Sequence, residues 1–171
     1  MYQIRKTVFE TNSSSTHAIC ISKKKIDKSE IVGKRIHFGF DDFGWEFDRN
    51  ADVANYIYTG ICCCFKKDKA QKYIDRIKRL LDRYDVKYSF EEAIWDKDGW
   101  LHWDCGEIDH SMNLEETIKI IFRDKELCLS LLFNKESYIA TGNDNSHDRK
   151  TILGGTEEAI EQTHKIFWKG N

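Results

Sequence analysis

The sequence predicts a single α+β domain, with a mixed or mainly antiparallel sheet covered by about four helices. Short segments typical of strands stand near both ends of the chain, and amphipathic segments typical of helices lie between them. This arrangement is characteristic of the α+β class. A length of 171 residues, of which 40% are hydrophobic and 13% aromatic, suits one domain with its own core over residues 1–171.

Three strands are expected in the first part of the chain. Residues 3–9 and 16–22 show the alternation of strands, and the polar run between them favours a hairpin. Residues 34–39 predict a third strand. A turn-rich loop follows, from Phe40 to Asn50.

Two helices are expected next. Residues 51–65 place Ile57 and Ile61 on one side, although Gly60 weakens this helix by about 1 kcal/mol relative to alanine. The most regular helix covers residues 67–84. Its apolar residues recur at spacings of three and four, while lysine, arginine and aspartate fill the other face.

The second half of the chain begins with a predicted strand over residues 99–108. Asn113 followed by Glu116 resembles a capping box, which predicts a helix from there to about Arg123.

Shorter elements complete the chain. Residues 125–133 predict a helix that begins from Asp124, and residues 137–141 predict a strand. A polar loop over 142–150 precedes a last helix over 156–168, which its threonine caps.

Composition and charge exclude several classes of partner. The formal net charge is −2, so no overall field draws the protein to nucleic acid, and we do not predict nucleic acid as a partner. The sequence has neither a stretch of about 18 apolar residues nor a secretory signal, so no membrane association is expected. Six cysteines without a CxxC pair favour free thiols in a reducing cytoplasm. We therefore expect a cytoplasmic protein, and its oligomeric state stays open.

The candidate site centres on a polar run near the start of the chain. The predicted ligand-binding residues in it are Asn12, Ser13, Ser14 and Ser15. Small side chains of this kind let successive backbone N–H groups converge on an anion, while the hydroxyls add donors. No P-loop or GxGxxG motif is present. The alternative is a hairpin loop whose side chains satisfy their own backbone.

His17 follows this run, at the nearest end of the predicted strand 16–22. Strand parity places it on the same face as Ile19 and Ile21, at the rim of an apolar surface. An imidazole in that position suits a catalytic acid or base in a partly dry cleft. The alternative is a histidine that is hydrogen-bonded at the edge of the core.

Two further polar segments carry candidate residues. Asp109 and His110 stand at a strand-to-helix junction, where site residues often lie on loops. Asn143 and Asn145 follow an apolar strand and would contact a polar ligand. For both segments the alternative is a solvated polar turn.

Other clusters predict no site. The segment with His102, Asp104 and Cys105 contains zinc-ligand residue types, but strand parity separates them, so we predict no metal and no cofactor. The cysteines at 62–64 have no paired histidine in view, which argues against a catalytic thiol. The cations of helix 67–84 are interleaved with aspartates and are interpreted mainly as a solvated face.

Three short motifs occur along the chain: FETNSSSTH at 9–17, IDHS at 108–111 and TGNDN at 141–145. In these motifs and their order, the chain resembles a family of uncharacterised proteins of phages, prophages and their Gram-positive hosts. The resemblance spans most of the chain. In members of that family the second motif more often has the sequence Asp-His-Gln-Ser, and the glutamine is absent from this chain. The resemblance implies a phage-related setting and no mechanism.

Our leading hypothesis is that the three polar segments form one pocket for a small phosphorylated or nucleotide-like ligand. His17 and His110 would be the catalytic acid and base, and Asp109 would orient one of them. Hydrolysis, group transfer and sequestration without turnover all stay open, so the chain need not be an enzyme. The rival hypothesis is a phage protein that inhibits a host protein by contact alone, with aromatic residues of the loop 40–47 as anchors. The alternative for these residues is that they pack back onto the core.

Overall fold

The computed structural model describes residues 15–44, 46–109 and 113–169, which contain two small sheets and six α-helices. The predicted strand 3–9 and its hairpin lie outside the described residues. The fold class is α+β, as the sequence predicts. In chain order the elements are β1 (Ser15–Ser22), β2 (Arg35–Phe38), α1 (Val53–Cys64), α2 (Lys67–Asp82), β3 (Lys87–Phe90), α3 (Leu114–Arg123), α4 (Lys125–Phe133), β4 (Tyr138–Asn143), α5 (Arg149–Leu153), α6 (Glu157–Thr163) and β5 (His164–Lys169).

The larger sheet has three antiparallel strands in the order β4-β1-β5. Its central strand, β1, is buried along its whole length. Ile19 and Ile21 belong to the main core, while Ala18 and Cys20 face a smaller core that includes Ile152 of α5. This alternation follows from the two-residue period of a strand. It confirms the predicted strand and the predicted face of its isoleucines.

The smaller sheet is the parallel pair of β2 and β3. Phe38 of β2 pairs with Phe90 of β3, and their rings stack at a centroid distance of 4.5 Å. Tyr58 of α1 packs edge-on against both rings. One continuous core therefore joins this pair to α1 and to the larger sheet. The strand β3 is not predicted from the sequence, because four residues are too few to show a clear alternation.

Of the three capping residues that the sequence predicts, two cap their helices and one does not. The carboxylate of Asp124 accepts the backbone N–H groups of Glu126 and Leu127 at the start of α4, and Thr156 caps α6 in the same way. Asn113 is the exception, because its φ of 65° is left-handed and its side chain makes no capping bond. The predicted capping box is therefore wrong, although the helix that it predicts is present.

The predicted strand over 99–108 is also wrong. This segment contains a 3₁₀ turn at Trp103–Cys105 and otherwise follows an irregular path. The Asp96 carboxylate accepts the N–H groups of Asp98 and Trp100, so local side-chain bonds occupy backbone groups that a strand would need.

The last predicted helix is too long. α6 ends at Thr163, and residues 164–169 form β5 instead of continuing the helix to Trp168. Ile166, Phe167 and Trp168 have side chains that favour strands, and β5 satisfies its backbone by pairing with β1. This correction matters for the site, because β5 ends beside His17.

Candidate functional site

His17 lies in the central strand with both ring nitrogens hydrogen-bonded. Its Nε2 atom is 2.9 Å from the carbonyl oxygen of Gly44, and its Nδ1 atom is 2.8 Å from the hydroxyl of Tyr56. A carbonyl oxygen only accepts, so Nε2 carries the proton and Nδ1 accepts from Tyr56. The side chain has no exposed surface. These surroundings match the second interpretation above, a histidine that is hydrogen-bonded within the core.

The charge of His17 is suppressed by its surroundings. Burial lowers its pKa from 6.5 to about 3, with a smaller contribution from the positive charge of Lys169. The ring is therefore neutral near pH 7. Acid–base catalysis needs a group that exchanges protons near the working pH. The predicted catalytic role of His17 stays a prediction, and its geometry is that of a structural residue.

A buried lysine at the end of β5 lies beside the start of β1. Lys169 has 1% of its surface exposed, and its Nζ atom is 2.6 Å from Ser15 Oγ. The ammonium group also donates to the backbone carbonyl oxygens of Ser15 and Asp109. Ser15 in turn donates its hydroxyl proton to the Asp109 carbonyl oxygen at 2.9 Å. The three acceptors match the three N–H bonds of an ammonium group.

Burial also shifts the titration of Lys169. It lowers the pKa of the amine from 10.5 to about 8, while the negative charge of Asp109 acts in the opposite direction. The side chain remains mostly protonated at pH 7. The fold thus keeps a positive charge within hydrogen-bonding distance of Ser15, the first described residue of the polar run.

The described parts of the three predicted segments meet at one end of the larger sheet. Ser15 is the cross-strand partner of Asn143, and its hydroxyl contacts the carbonyl oxygen of Asp109. The other predicted residues, Asn12, Ser13, Ser14 and His110, lie outside the described residues. The shared pocket stays a prediction, and contacts through Ser15 support it.

Asn143 and Asn145 form a tight turn after β4. The side-chain oxygen of Asn143 accepts the N–H of Asn145 at 2.9 Å, and its carbonyl oxygen accepts the N–H groups of Ser146 and His147. Asn143 is half-buried and Asn145 is exposed. The turn interpretation explains these bonds, and a ligand role for the two residues stays a prediction.

An acidic cavity borders His17. It has a volume of about 280 Å³ and includes Gly44, which accepts from His17, and Thr141, which pairs with His17 across the sheet. Five acidic residues around one cavity repel a phosphate group. The negative charge of this cavity therefore favours cationic ligands, whereas the positive charge of Lys169 favours anions. The acidic lining residues are Asp41, Asp42, Glu46, Asp48 and Asp52.

Two residues of this site are not among those predicted from the sequence. Lys169 directly follows the predicted last helix over 156–168, and the strand propensity of Ile166, Phe167 and Trp168 was the signal that would have placed it in a sheet. Tyr56 lies within the predicted helix 51–65, and nothing in the sequence connects it to His17.

No protein family, curated protein or solved structure matches the chain. The chemistry of the site must therefore be inferred from its own residues. Within the described ranges, no helix is long and apolar enough to cross a membrane, and no group of three or more His, Cys, Asp and Glu residues could hold a metal ion. All six cysteines are described, and none of them forms a disulfide.

Proposed function

We propose that the protein binds a small phosphorylated or nucleotide-like ligand at the end of the larger sheet where β1 begins. The observation that carries the proposal is the 2.6 Å contact between Lys169 Nζ and Ser15 Oγ, two side chains that are at most 1% exposed. An ammonium group, a hydroxyl and backbone N–H groups are the donors that phosphate oxygens accept from. In the sequence, the polar run Asn12–Ser15 ends at Ser15, one member of this pair.

The energetics of Lys169 support a binding role. Burying an ammonium group opposes folding even when hydrogen bonds compensate it, and an apolar residue of similar volume is often neutral or stabilising in such a place. Its lowered pKa reflects this desolvation. A ligand anion beside the amine would offset part of the desolvation and would restore a higher pKa.

The hydrogen bonds of Lys169 favour binding over base catalysis. An amine that donates to three acceptors is protonated, whereas a lysine that activates a serine must be neutral. We therefore favour the hypothesis that the protein sequesters its ligand without turnover. Hydrolysis or transfer would need another base, and His110 remains the predicted one.

A panel of phosphate compounds tests this proposal by thermal unfolding. We would use inorganic phosphate, ribose 5-phosphate, AMP, ADP and ATP, and a ligand at about 100 times its Kd should stabilise the protein by about 2.7 kcal/mol. Lys169→Met keeps the aliphatic stem and removes the charge, so it should lose the stabilisation. Lys165→Met is the matched control, since Lys165 is exposed on the same strand.

The results separate the alternatives clearly. Stabilisation of the control but not of Lys169→Met supports the proposal. If none of the five compounds stabilises the wild type, or if Lys169→Met responds like the wild type, the proposal fails. Ser15→Ala, which removes one hydroxyl, serves as a second variant if Lys169→Met does not fold.

A second candidate function, inhibition of a host protein by contact, is favoured by exposed aromatic residues. In the predicted loop 40–47, Phe43 is buried and Phe40 packs against Tyr58, but Phe47 is 44% exposed, and Trp45 lies outside the described residues. Elsewhere, Trp103 is 79% exposed and Trp100 is 42% exposed. Tryptophan is enriched among residues that dominate binding energy at interfaces.

The surroundings of these tryptophans indicate the chemistry of a partner. Residues 91–109 contain seven aspartates and glutamates and one lysine, so the complementary surface would be basic. A purified host protein that binds the wild type, and that Trp103→Ala releases, would support this function. A partner that binds Trp103→Ala with unchanged affinity would exclude this surface.

A further inference from the structure

A basic stripe runs along one exposed face of α2. Its five residues follow one another at spacings of three and four, which places them in one row, and the row is about 21 Å long at 1.5 Å per residue. The three aspartates of the helix form a separate row beside it. Two of them accept side-chain bonds, from Gln71 and from Tyr88. The stripe consists of Lys69, Lys72, Arg76, Arg79 and Arg83, all of which are exposed.

The junction of α3 and α4 widens the stripe into a groove. Arg123 ends α3 and Lys125 begins α4, and both line a cavity of about 360 Å³ together with three arginines of the stripe. A neighbouring depression of about 550 Å³ shares Arg76 and Arg79 and extends the groove along α2. Among the described residues, no acidic side chain lines either hollow. The apolar residues that line the first hollow are Leu80, Phe122 and Cys128.

The arginines of this groove lack counter-charges in the described part of the chain. None of the four has a carboxylate oxygen within 4.0 Å, while Lys69 and Lys125 pair with Glu115 and Glu126. Four guanidinium groups around one cavity repel one another, and a bound anion would relieve this repulsion. Arginine presents planar pairs of donors that fit phosphate oxygens.

The distribution of charge along the chain explains why the overall net charge does not indicate this basic groove. Residues 66–83 contain eight lysines and arginines and three aspartates, whereas residues 91–109 contain seven acidic residues and one lysine. The net charge of −2 is therefore the sum of separate basic and acidic regions. A local field of this kind attracts polyanions although the whole molecule does not.

The shape of the groove favours a long polyanion over a single phosphate group. Cations spread over about 21 Å match repeated charges better than one compact anion. The groove offers no aromatic platform for stacking, because Tyr73 stacks on Phe65 and Phe122 is 4% exposed. The protein would thus contact phosphate groups and would not recognise the bases.

We propose that this groove binds the phosphate backbone of nucleic acid without sequence preference. The proposal concerns a surface separate from Ser15 and Lys169 and does not depend on the function proposed above. DNA and RNA share the phosphate chemistry that would be recognised here, and the experiment distinguishes them.

Fluorescence anisotropy with labelled 20-mer duplex DNA and single-stranded RNA, as a function of salt, tests this proposal. If the four arginines and Lys125 each contact a phosphate of duplex DNA, the affinity should fall about 500-fold between 50 and 200 mM salt. Arg79→Gln/Arg83→Gln should reduce this fall to about 40-fold, since about two fewer counterions are released. Scrambled sequences should bind equally well.

The matched control is Lys66→Gln/Lys78→Gln, which removes two charges from the same helix region outside the stripe. It should retain the wild-type salt dependence. The proposal is overturned if the wild type binds neither nucleic acid at 50 mM salt, or if both double variants behave alike. It is also overturned if inorganic tripolyphosphate binds while neither nucleic acid does, which would assign the groove to small polyphosphates.

Discussion

Lys169 and His17 are cross-strand partners, and of these two neighbouring side chains only one carries a positive charge. The lysine has the higher intrinsic pKa, so it keeps its proton and its charge helps to suppress the charge of the histidine. The Tyr56 hydroxyl and the Gly44 carbonyl then fix the neutral imidazole. These neighbours thus keep His17 neutral and hydrogen-bonded, and its predicted role as an acid–base catalyst stays a prediction.

The buried histidine should make stability sensitive to acid. The folded-state pKa of His17 lies below the unfolded value, so the unfolded chain binds more protons and stability falls as the pH drops below 6.5. Between pH 7 and pH 5 the wild type should lose about 2 kcal/mol more than His17→Gln in urea unfolding. Glutamine can replace both hydrogen bonds without titrating.

His37→Gln is the control for this measurement, because His37 is exposed. Its pH dependence should follow that of the wild type. Parallel curves for the wild type and His17→Gln would contradict the buried neutral imidazole.

Lys169 should act on stability at alkaline pH. Its folded-state pKa of about 8 is below the unfolded value of 10.5, so the unfolded chain holds more protons between these values and stability rises with pH. From pH 8 to pH 10 the wild type should gain about 2 kcal/mol relative to Lys169→Met. Urea unfolding at both pH values measures this difference, and Lys165→Met should track the wild type. An equal response of both variants would refute the burial of the Lys169 charge.

At the scale of elements, capping residues show how a local pattern can predict a helix for the wrong reason. Asp124 and Asn113 both precede a helix, and both residue types are common caps. Asp124 has extended backbone angles and accepts two N–H groups, while Asn113 is left-handed and accepts none with its side chain. The difference lies in the backbone path that enters each helix, which the residue types do not reveal.

Substitutions at the two positions should therefore have opposite effects. Asp124→Ala should lower the free energy of unfolding by about 1 kcal/mol through loss of a cap. Asn113→Gly should leave it unchanged or raise it by up to about 1 kcal/mol, because glycine adopts left-handed angles without strain. Chemical denaturation measures both changes. Clear destabilisation by Asn113→Gly would restore Asn113 as a capping residue.

Ambiguity between helix and strand limits the sequence prediction elsewhere. The helix α2 is predicted well, since sixteen residues show a sustained period. The strand β5 is six residues long and follows a capped helix directly, so local periodicity does not separate the two. Pairing with β1, more than 140 residues away in sequence, decides the structure of β5.

At the scale of the whole molecule, one core connects the two sheets. The main cluster of buried residues includes Ile19 and Ile21 of β1, Phe38 of β2, and apolar residues of α1 to α4. The two sheets share no hydrogen-bonded strand in the described residues, so side-chain packing couples them. A molecule built in this way is expected to unfold as one unit.

Coincident transitions should be observed in urea unfolding. Circular dichroism reports the helices, and tryptophan fluorescence reports the environment of the indole rings, so different parts of the molecule are followed. Both probes should give the same midpoint and slope if the whole chain is a single cooperative domain. Two separated transitions would instead indicate that the sheets belong to independent units.

The amino-acid sequence by itself determined the α+β class, the presence of five of the six described helices, and the strands β1, β2 and β4. These features depend on residue types and short-range periodicity, which are local properties. Tertiary structure alone decided that His17 is neutral, that Lys169 lies beside Ser15 and that the basic residues of α2 join those of α3 and α4. Those outcomes depend on desolvation and on contacts between distant segments, because a pKa or a charged groove belongs to the folded surroundings of a residue.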